Sequence, residues 1–130
     1  MKKLSNTFKI IFHIFNIIVI FLYLFPGSIL GLLFHGNLEK QLQLTDDFIN
    51  ISSNHFYAFF VLSITGILSY SKHKKFNLLI KYLLLLSVIL ELSHLLISQR
   101  SFELSDLFGN ILGVVVTIII YKIWKKYEFI

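Results

Sequence analysis

Residues 91–113, ELSHLLISQRSFELSDLFGNILG, set Glu91, His94, Arg100, Asp106 and Asn110 between two strongly apolar runs. Polar and ionisable groups are expensive inside a membrane and mark pairing or functional positions there. How this stretch is read decides both the architecture and the place of any chemistry.

The apolar runs around it exceed what a small soluble core can hide. Of 130 residues, 56% are hydrophobic and 16% aromatic, and the mean hydropathy is +0.78. Lipid, rather than the inside of one small domain, accommodates that much Leu, Ile and Phe surface. The chain therefore reads as one all-α integral membrane domain over residues 1–130. It has no cysteine, which excludes disulfides, thiolate metal sites and cysteine nucleophiles. The formal net charge is +5, but the lysines cluster beside apolar runs. That is the mark of a cytoplasmic membrane face, and no nucleic-acid partner is assigned.

Periodicity and length predict four transmembrane helices, at about residues 8–25, 53–71, 76–97 and 106–124. Pro26 and Gly27 close the first. Lys2, Lys3 and Lys9 precede it, and no small-residue cleavage pattern comes after it, so it is expected to stay as an uncleaved helix rather than a signal peptide. His13 and Asn16 share one face and are expected to meet a neighbouring helix. The segment SILGLLFHG, residues 28–36, is too short to span and reads as an interfacial piece after the first helix. In the polar loop beyond it, Asp46 and Asp47 read as a solvated pair. Ser52 or Ser53 caps the second helix, where His55 stands at the mouth above a packing face of Phe59, Leu62 and Gly66.

Counting cations gives an orientation. The N-terminal stretch, the turn at 72–75 and the C-terminal tail carry nine lysines, whereas the opposite loops carry Lys40 and Arg100 alone. Both termini are expected on the cytoplasmic side of a bacterial cytoplasmic (inner) membrane, which places residues 26–52 and 98–105 outside.

On the third predicted helix Ser87, Glu91, His94 and Ser98 share a face, and on the fourth Asp106, Asn110, Gly113 and Thr117 do the same. At about 1.5 Å per residue, Glu91 would lie roughly 9 Å below the end of its helix and Asn110 roughly 6 Å below the start of its own. The two levels nearly match, and Arg100 in the connecting loop is placed to pair with Glu91, Asp106 or Glu103. Gly109 and Gly113 form GxxxG, a spacing that admits a neighbouring backbone. Glu91 and His94, with His55 and Asp106, are the residues a metal would use. Di-iron bundles, however, employ two ExxH helices, and only one such pair is present, so no metal and no cofactor is assigned. Three readings stay open. The cluster binds a ligand from the outer side; or it serves a small membrane enzyme, with Glu91 as general base and His94 or His55 as proton carrier; or it fixes the hairpin structurally.

Glu91-x-x-His94, Arg100-Ser101-Phe102-Glu103 and Asp106-x-x-x-Asn110-x-x-Gly113 together resemble the signature of the VanZ-like family, small membrane proteins named for a member linked to teicoplanin resistance. His55-Phe56-Tyr57-Ala58-Phe59 is similar to that family's motif on the second helix, and the likeness covers about residues 50–116. It implies a four-helix layout and a link to glycopeptide antibiotic resistance, which points toward envelope precursors or lipid-linked sugars; the non-enzymatic reading rests on the lack of a complete catalytic set in the cluster. The likeness also implies an outward polar pocket of His55, Glu91, His94, Arg100, Asp106 and Asn110. The partners it suggests are the lipid bilayer and an envelope lipid or glycan, with a homo-oligomer left open. Two departures stand out. The family commonly carries Gln at the position of His94, and often an Asp-Lys pair where this chain has Ile51 and Ser52.

Overall fold

The computed structural model describes residues 2–128, as five helices: α1 Lys2–Leu24, α2 Ile29–His35, α3 Ser53–Tyr70, α4 Phe76–Ser93 and α5 Leu104–Glu128. Three of these contain stretches long and apolar enough to cross a membrane, Asn6–Leu24, Phe76–Ser93 and Leu104–Glu128. α3 is 18 residues long but carries Ser53, Asn54, His55, Ser63, Thr65 and Ser69. Its lower apolarity follows from its place in the bundle. α3 packs against α1, α4 and α5, so its polar residues meet protein.

The bundle is inverted relative to a soluble one. Ser53, Ser63, Ser87, Glu91 and Asn110 are fully enclosed, while Ile10, Ile14 and Ile17 of α1 and Leu78, Leu85 and Ile89 of α4 point outward. Apolar outer faces on helices of this length suit a lipid surrounding. Inside, Phe12, Val19, Phe59, Leu62, Leu83, Leu90 and Val114 form the apolar core.

The seam between α3 and α5 is set by the GxxxG glycines. A methyl group added at Gly109 would stand 2.6 Å from the Ser52 carbonyl oxygen, and one at Gly113 would stand 2.6 Å from that of Phe56. Such backbone contact is what small residues allow in membrane helices, where apolar attraction between helices is weak. One turn further, the Thr117 hydroxyl donates to the Gly113 carbonyl (2.8 Å) and lies 3.4 Å from that of Phe60. α1 docks through the residues expected to make polar contacts. His13 Nε2 is 3.0 Å from the Tyr70 hydroxyl, and Tyr82 donates to Asn16 Oδ1 at 2.9 Å.

The helix ends differ from those predicted, with consequences for the site. α4 stops at Ser93 rather than near 97. The Ser93 hydroxyl bonds the Leu90 carbonyl (2.6 Å), and the amides of His94, Leu95 and Leu96 each bond three residues back instead of four. These tighter turns end the helix, so His94 is its capping residue and Ser98 leaves the face it was expected to share. α5 starts earlier, at Leu104, with the Glu103 carbonyl accepting from the Leu107 amide (3.1 Å).

Between α1 and α3 the chain makes a roof. Ser28 caps α2, its hydroxyl accepting the Gly31 amide at 2.9 Å, and the segment after α2 folds back so that Ser28 N–H donates to the Leu38 carbonyl at 2.7 Å. Asn54 fastens this strap to α3: its amide nitrogen donates to the Leu42 carbonyl, and its oxygen accepts the Leu44 N–H at 3.0 Å. Asp47 is more than a solvated acid. Its Oδ1 accepts the Ser53 N–H at 3.0 Å and Gln43 Nε2 at 2.9 Å, capping α3 from a distance, as an N-terminal carboxylate does.

Gly113→Val drives side-chain atoms into the α3 backbone, and overpacking of this kind costs about 1–3 kcal/mol. Thermal unfolding in detergent is expected to show a lowered midpoint with unchanged helix content below it. The Ser53 amide, and after it Gln43, holds the Asp47 carboxyl below its ordinary value of 3.8. The stabilisation this gives is complete above 3.8 and disappears as pH falls through the lower folded value. Asp47→Asn is therefore expected to flatten the acid limb of a stability profile below about pH 4, read by fluorescence-monitored unfolding, and to leave the limb near neutrality in place.

Candidate functional site

The site lies where four helix ends meet: the end of α1, the start of α3, the end of α4 and the start of α5. Each supplies a residue because its last or first turn points a side chain inward before the chain leaves the bundle. α4 supplies Glu91, which has no exposed side-chain surface. Its Oε1 accepts the Glu103 N–H at 3.1 Å and lies 3.3 Å from His94 Nδ1. The other nitrogen of His94 stands 3.1 Å from the Tyr23 carbonyl oxygen. A carbonyl only accepts, so Nε2 is the nitrogen that donates there, and Nδ1 is the one turned to Glu91.

The second oxygen of Glu91 is different. Oε2 is buried without a hydrogen-bond partner, and so is the ring atom it faces, His55 Nδ1, 3.7 Å away. On its far side His55 approaches a second acid, with Nε2 3.5 Å from Asp106 Oδ2. One imidazole thus stands between two carboxylates, at spacings slightly beyond ordinary hydrogen bonds. Donor atoms of His55, Glu91 and Asp106 all lie within 4.8 Å of one another. Of the four residues weighed from the sequence for a metal, these three converge. His94 stands behind Glu91 as its support.

Asn110 sits one helical turn deeper than Glu91. Its Oδ1 accepts from the Tyr23 hydroxyl at 2.6 Å and its nitrogen donates to the Ser87 carbonyl at 3.2 Å. Asn110 is fully buried and ties α1, α4 and α5 together. Because α4 ends early, the level matching Asn110 is that of Ser87, not that of Glu91.

Arg100 does not make the ion pair its position suggested. Its Nε donates to the Phe25 carbonyl at 3.2 Å and its Nη2 to that of Leu22 at 2.8 Å. Among the described residues, the ion-pair partners of Glu91 and Asp106 are histidines. The physical reason is the broken end of α1. The final carbonyls of a helix have no intrahelical donors, the helix dipole places negative charge there, and Pro26 offers no N–H of its own. A half-buried guanidinium satisfies that end better than a carboxylate already held by a backbone amide. Burial lowers the pKa of Arg100, an effect that Tyr23, Glu91 and Asp106 oppose.

The polar group expected to form one pocket is therefore divided. A cavity of about 140 Å³ is walled by Tyr23, Asn54, His55, Ala58, His94 and Arg100, under Ile29 of α2 and Leu42 of the strap. Glu91 and Asn110 lie sealed behind it, and Asp106 flanks His55 away from its wall. Tyr23 was not singled out in the sequence. It stacks on His94, with centroids 5.7 Å apart and planes 18° apart, and touches His55 at 5.1 Å. A signal was present: Phe12, Asn16, Val19 and Tyr23 recur at spacings of four, three and four, one inward stripe of α1.

No family model, curated protein or solved structure matches the chain.

Arg100→Ala leaves the carbonyls of Leu22 and Phe25 without a charged donor, at a cost of about 1.5–3 kcal/mol. The unfolding midpoint in detergent is expected to fall, and Arg100→Lys to recover part of the loss. Glu103→Gln removes the charge an Arg100 ion pair would need and keeps an oxygen for the Ser101 hydroxyl, and is expected to leave the midpoint unchanged.

Proposed function

We propose that this chain is a four-pass protein of the bacterial cytoplasmic membrane, with both termini in the cytoplasm, that takes up a polar envelope component in the cavity beneath α2. The observation that carries this reading is the wall of the cavity. Two histidines, an arginine, a tyrosine and an asparagine converge on one space at the lysine-poor end of the bundle, under a roof held by a few hydrogen bonds. A helix hairpin that needed only internal glue would close over such groups. The resemblance to VanZ-like proteins agrees with this reading, and through it the ligand is an envelope lipid or lipid-linked glycan and the role extends to glycopeptide resistance.

Charge supports the orientation. Lys9 lies over the Tyr70 ring at 5.5 Å and Phe76 packs on Tyr121 at 5.1 Å. Lys9, the basic turn at 72–75 and the lysine-rich end of α5 therefore share one end of the bundle, as the positive-inside rule asks. The cavity opens at the other. α3 counts as the fourth span because its polar residues are covered by protein, Ser53 and Asn54 by the strap and Ser63 and Ser69 by the bundle. A catalytic version of the reading would pass a proton through His55, which lines the cavity, since Glu91 has no exposed side-chain surface.

Ala58→Leu tests the cavity without removing a polar group. It fills the space, and filled cavities are commonly neutral or stabilising. Mass spectrometry of the purified proteins is expected to find a polar lipid or lipid-linked species with the wild type and to lose it in the variant, while thermal stability is kept. The same bound species at the same occupancy in both proteins would sink the proposal.

A further inference from the structure

We infer that His55, Glu91 and Asp106 form a binding site for a single divalent transition cation, Zn²⁺ or Mn²⁺. Three observations meet at this point. First, the donors already converge: one atom from each residue falls within a 4.8 Å span. A four-coordinate ion with bonds of about 2.0–2.1 Å keeps its donors roughly 3.3 Å apart, so the set closes when the side chains draw in and the imidazole turns to bring one nitrogen to both carboxylates, which now face its two different nitrogens. Second, two of the atoms facing one another, His55 Nδ1 and Glu91 Oε2, are buried with no hydrogen-bond partner. Buried polar atoms in a packed interior are otherwise almost always satisfied. Glu91 is fully enclosed, so bulk water does not serve its second oxygen.

Third, the surroundings treat the two oxygens of Glu91 unequally. The Glu103 amide and His94 both hold Oε1, and this support fixes the carboxylate with Oε2 turned toward His55. Outer contacts of that kind orient metal ligands in known sites. His94 is fixed in turn by the Tyr23 carbonyl. The position of His55 is set by the α3–α5 seam, where a methyl on Gly109 would stand 3.0 Å from its Cβ. Charge points the same way. Two carboxylates face a ring that is neutral in its usual form, and Arg100 is occupied with the end of α1. A dication would balance the two carboxylates.

The donor set selects the ion. One imidazole with two carboxylates, and no thiolate anywhere in the chain, suits Zn²⁺ or Mn²⁺ rather than Cu⁺. Three protein ligands leave a coordination position open, as at sites where the ion meets a ligand or water. His55 belongs both to this set and to the cavity wall. The cation site nevertheless stands independently of any envelope ligand, because its loading can be measured whatever the cavity takes up.

The test uses the full chain, without a histidine tag, purified in detergent, stripped with a chelator and dialysed against limiting Zn²⁺ or Mn²⁺. Elemental analysis is expected to find about one ion per chain. The ion should raise the unfolding temperature, since binding to the folded state stabilises it. His55→Gln and Asp106→Asn keep approximate shape and are each expected to weaken binding by more than about tenfold, because even outer-contact losses cost 10–100-fold. Their metal-free unfolding temperatures, compared with that of the stripped wild type, show that both still fold. His13→Gln and His73→Gln, which remove histidines at the opposite end, are expected to bind as the wild type does. The assignment fails if the wild type holds no stoichiometric ion, if His55→Gln with Asp106→Asn in one chain retains it, or if either opposite-end variant loses it.

Discussion

The constraint on which the rest depends is a carboxylate with no exposed surface inside a bundle whose outer faces are apolar. Glu91 cannot sit there unless donors come to it, and the ends of the neighbouring helices are arranged to bring them. The early stop of α4 puts His94 at a cap position, where its ring turns back onto Oε1. The early start of α5 brings the Glu103 amide to the same oxygen. α3 presses His55 toward the other, and can come so close only because Gly109 and Gly113 let its backbone touch α5. A larger residue in that seam would move the imidazole as well as the helix. Packing and electrostatics are one problem here, since in lipid the polar contacts hold what apolar attraction does not.

Much of this was legible in the sequence, and the parts that were not have physical reasons. The long helices follow from apolar run lengths and Pro26, and the contacts of His13 and Asn16 follow from their shared face. The GxxxG seam and the burial of Phe59, Leu62 and Gly66 follow from spacing alone. The partner of Arg100 did not follow. Sequence suggests that opposite charges meet, but the nearest unsatisfied acceptors in space are the carbonyls at the end of α1, some seventy-five residues away in the chain. Nor did the level of Asn110. It was set by where α4 ends, and the three-residue turns that end it at residues 94–96 have no Gly or Pro in the sequence to announce them. Tyr23 was hidden for the opposite reason: in a run of Ile, Leu and Phe an aromatic looks like lipid-facing bulk until its hydroxyl finds Asn110.

The modest apolarity of α3 is informative in the same way. Residue by residue it looks less like a membrane helix than its neighbours, because hydropathy scores side chains as though all of them met lipid. Ser63 and Ser69 are buried in the bundle and Ser53 against the loop at residues 43–47, and the Ser69 hydroxyl returns to the Thr65 carbonyl at 2.6 Å. A helix enclosed by protein can be half polar and still lie within a membrane bundle.

The tie from Tyr23 to Asn110 has a consequence for how the protein is made. α1 is synthesised first, yet its inner stripe finds its partner for Tyr23 only on α5, which leaves the ribosome after α1–α4. The carbonyls at its end wait likewise for Arg100. Until then the C-terminal end of α1 holds acceptors and a hydroxyl that lipid cannot satisfy, so the placement of that end is completed late, when the last hairpin arrives. α3 and α4 hold the rest of α1, so the last hairpin adds the locking of that one end.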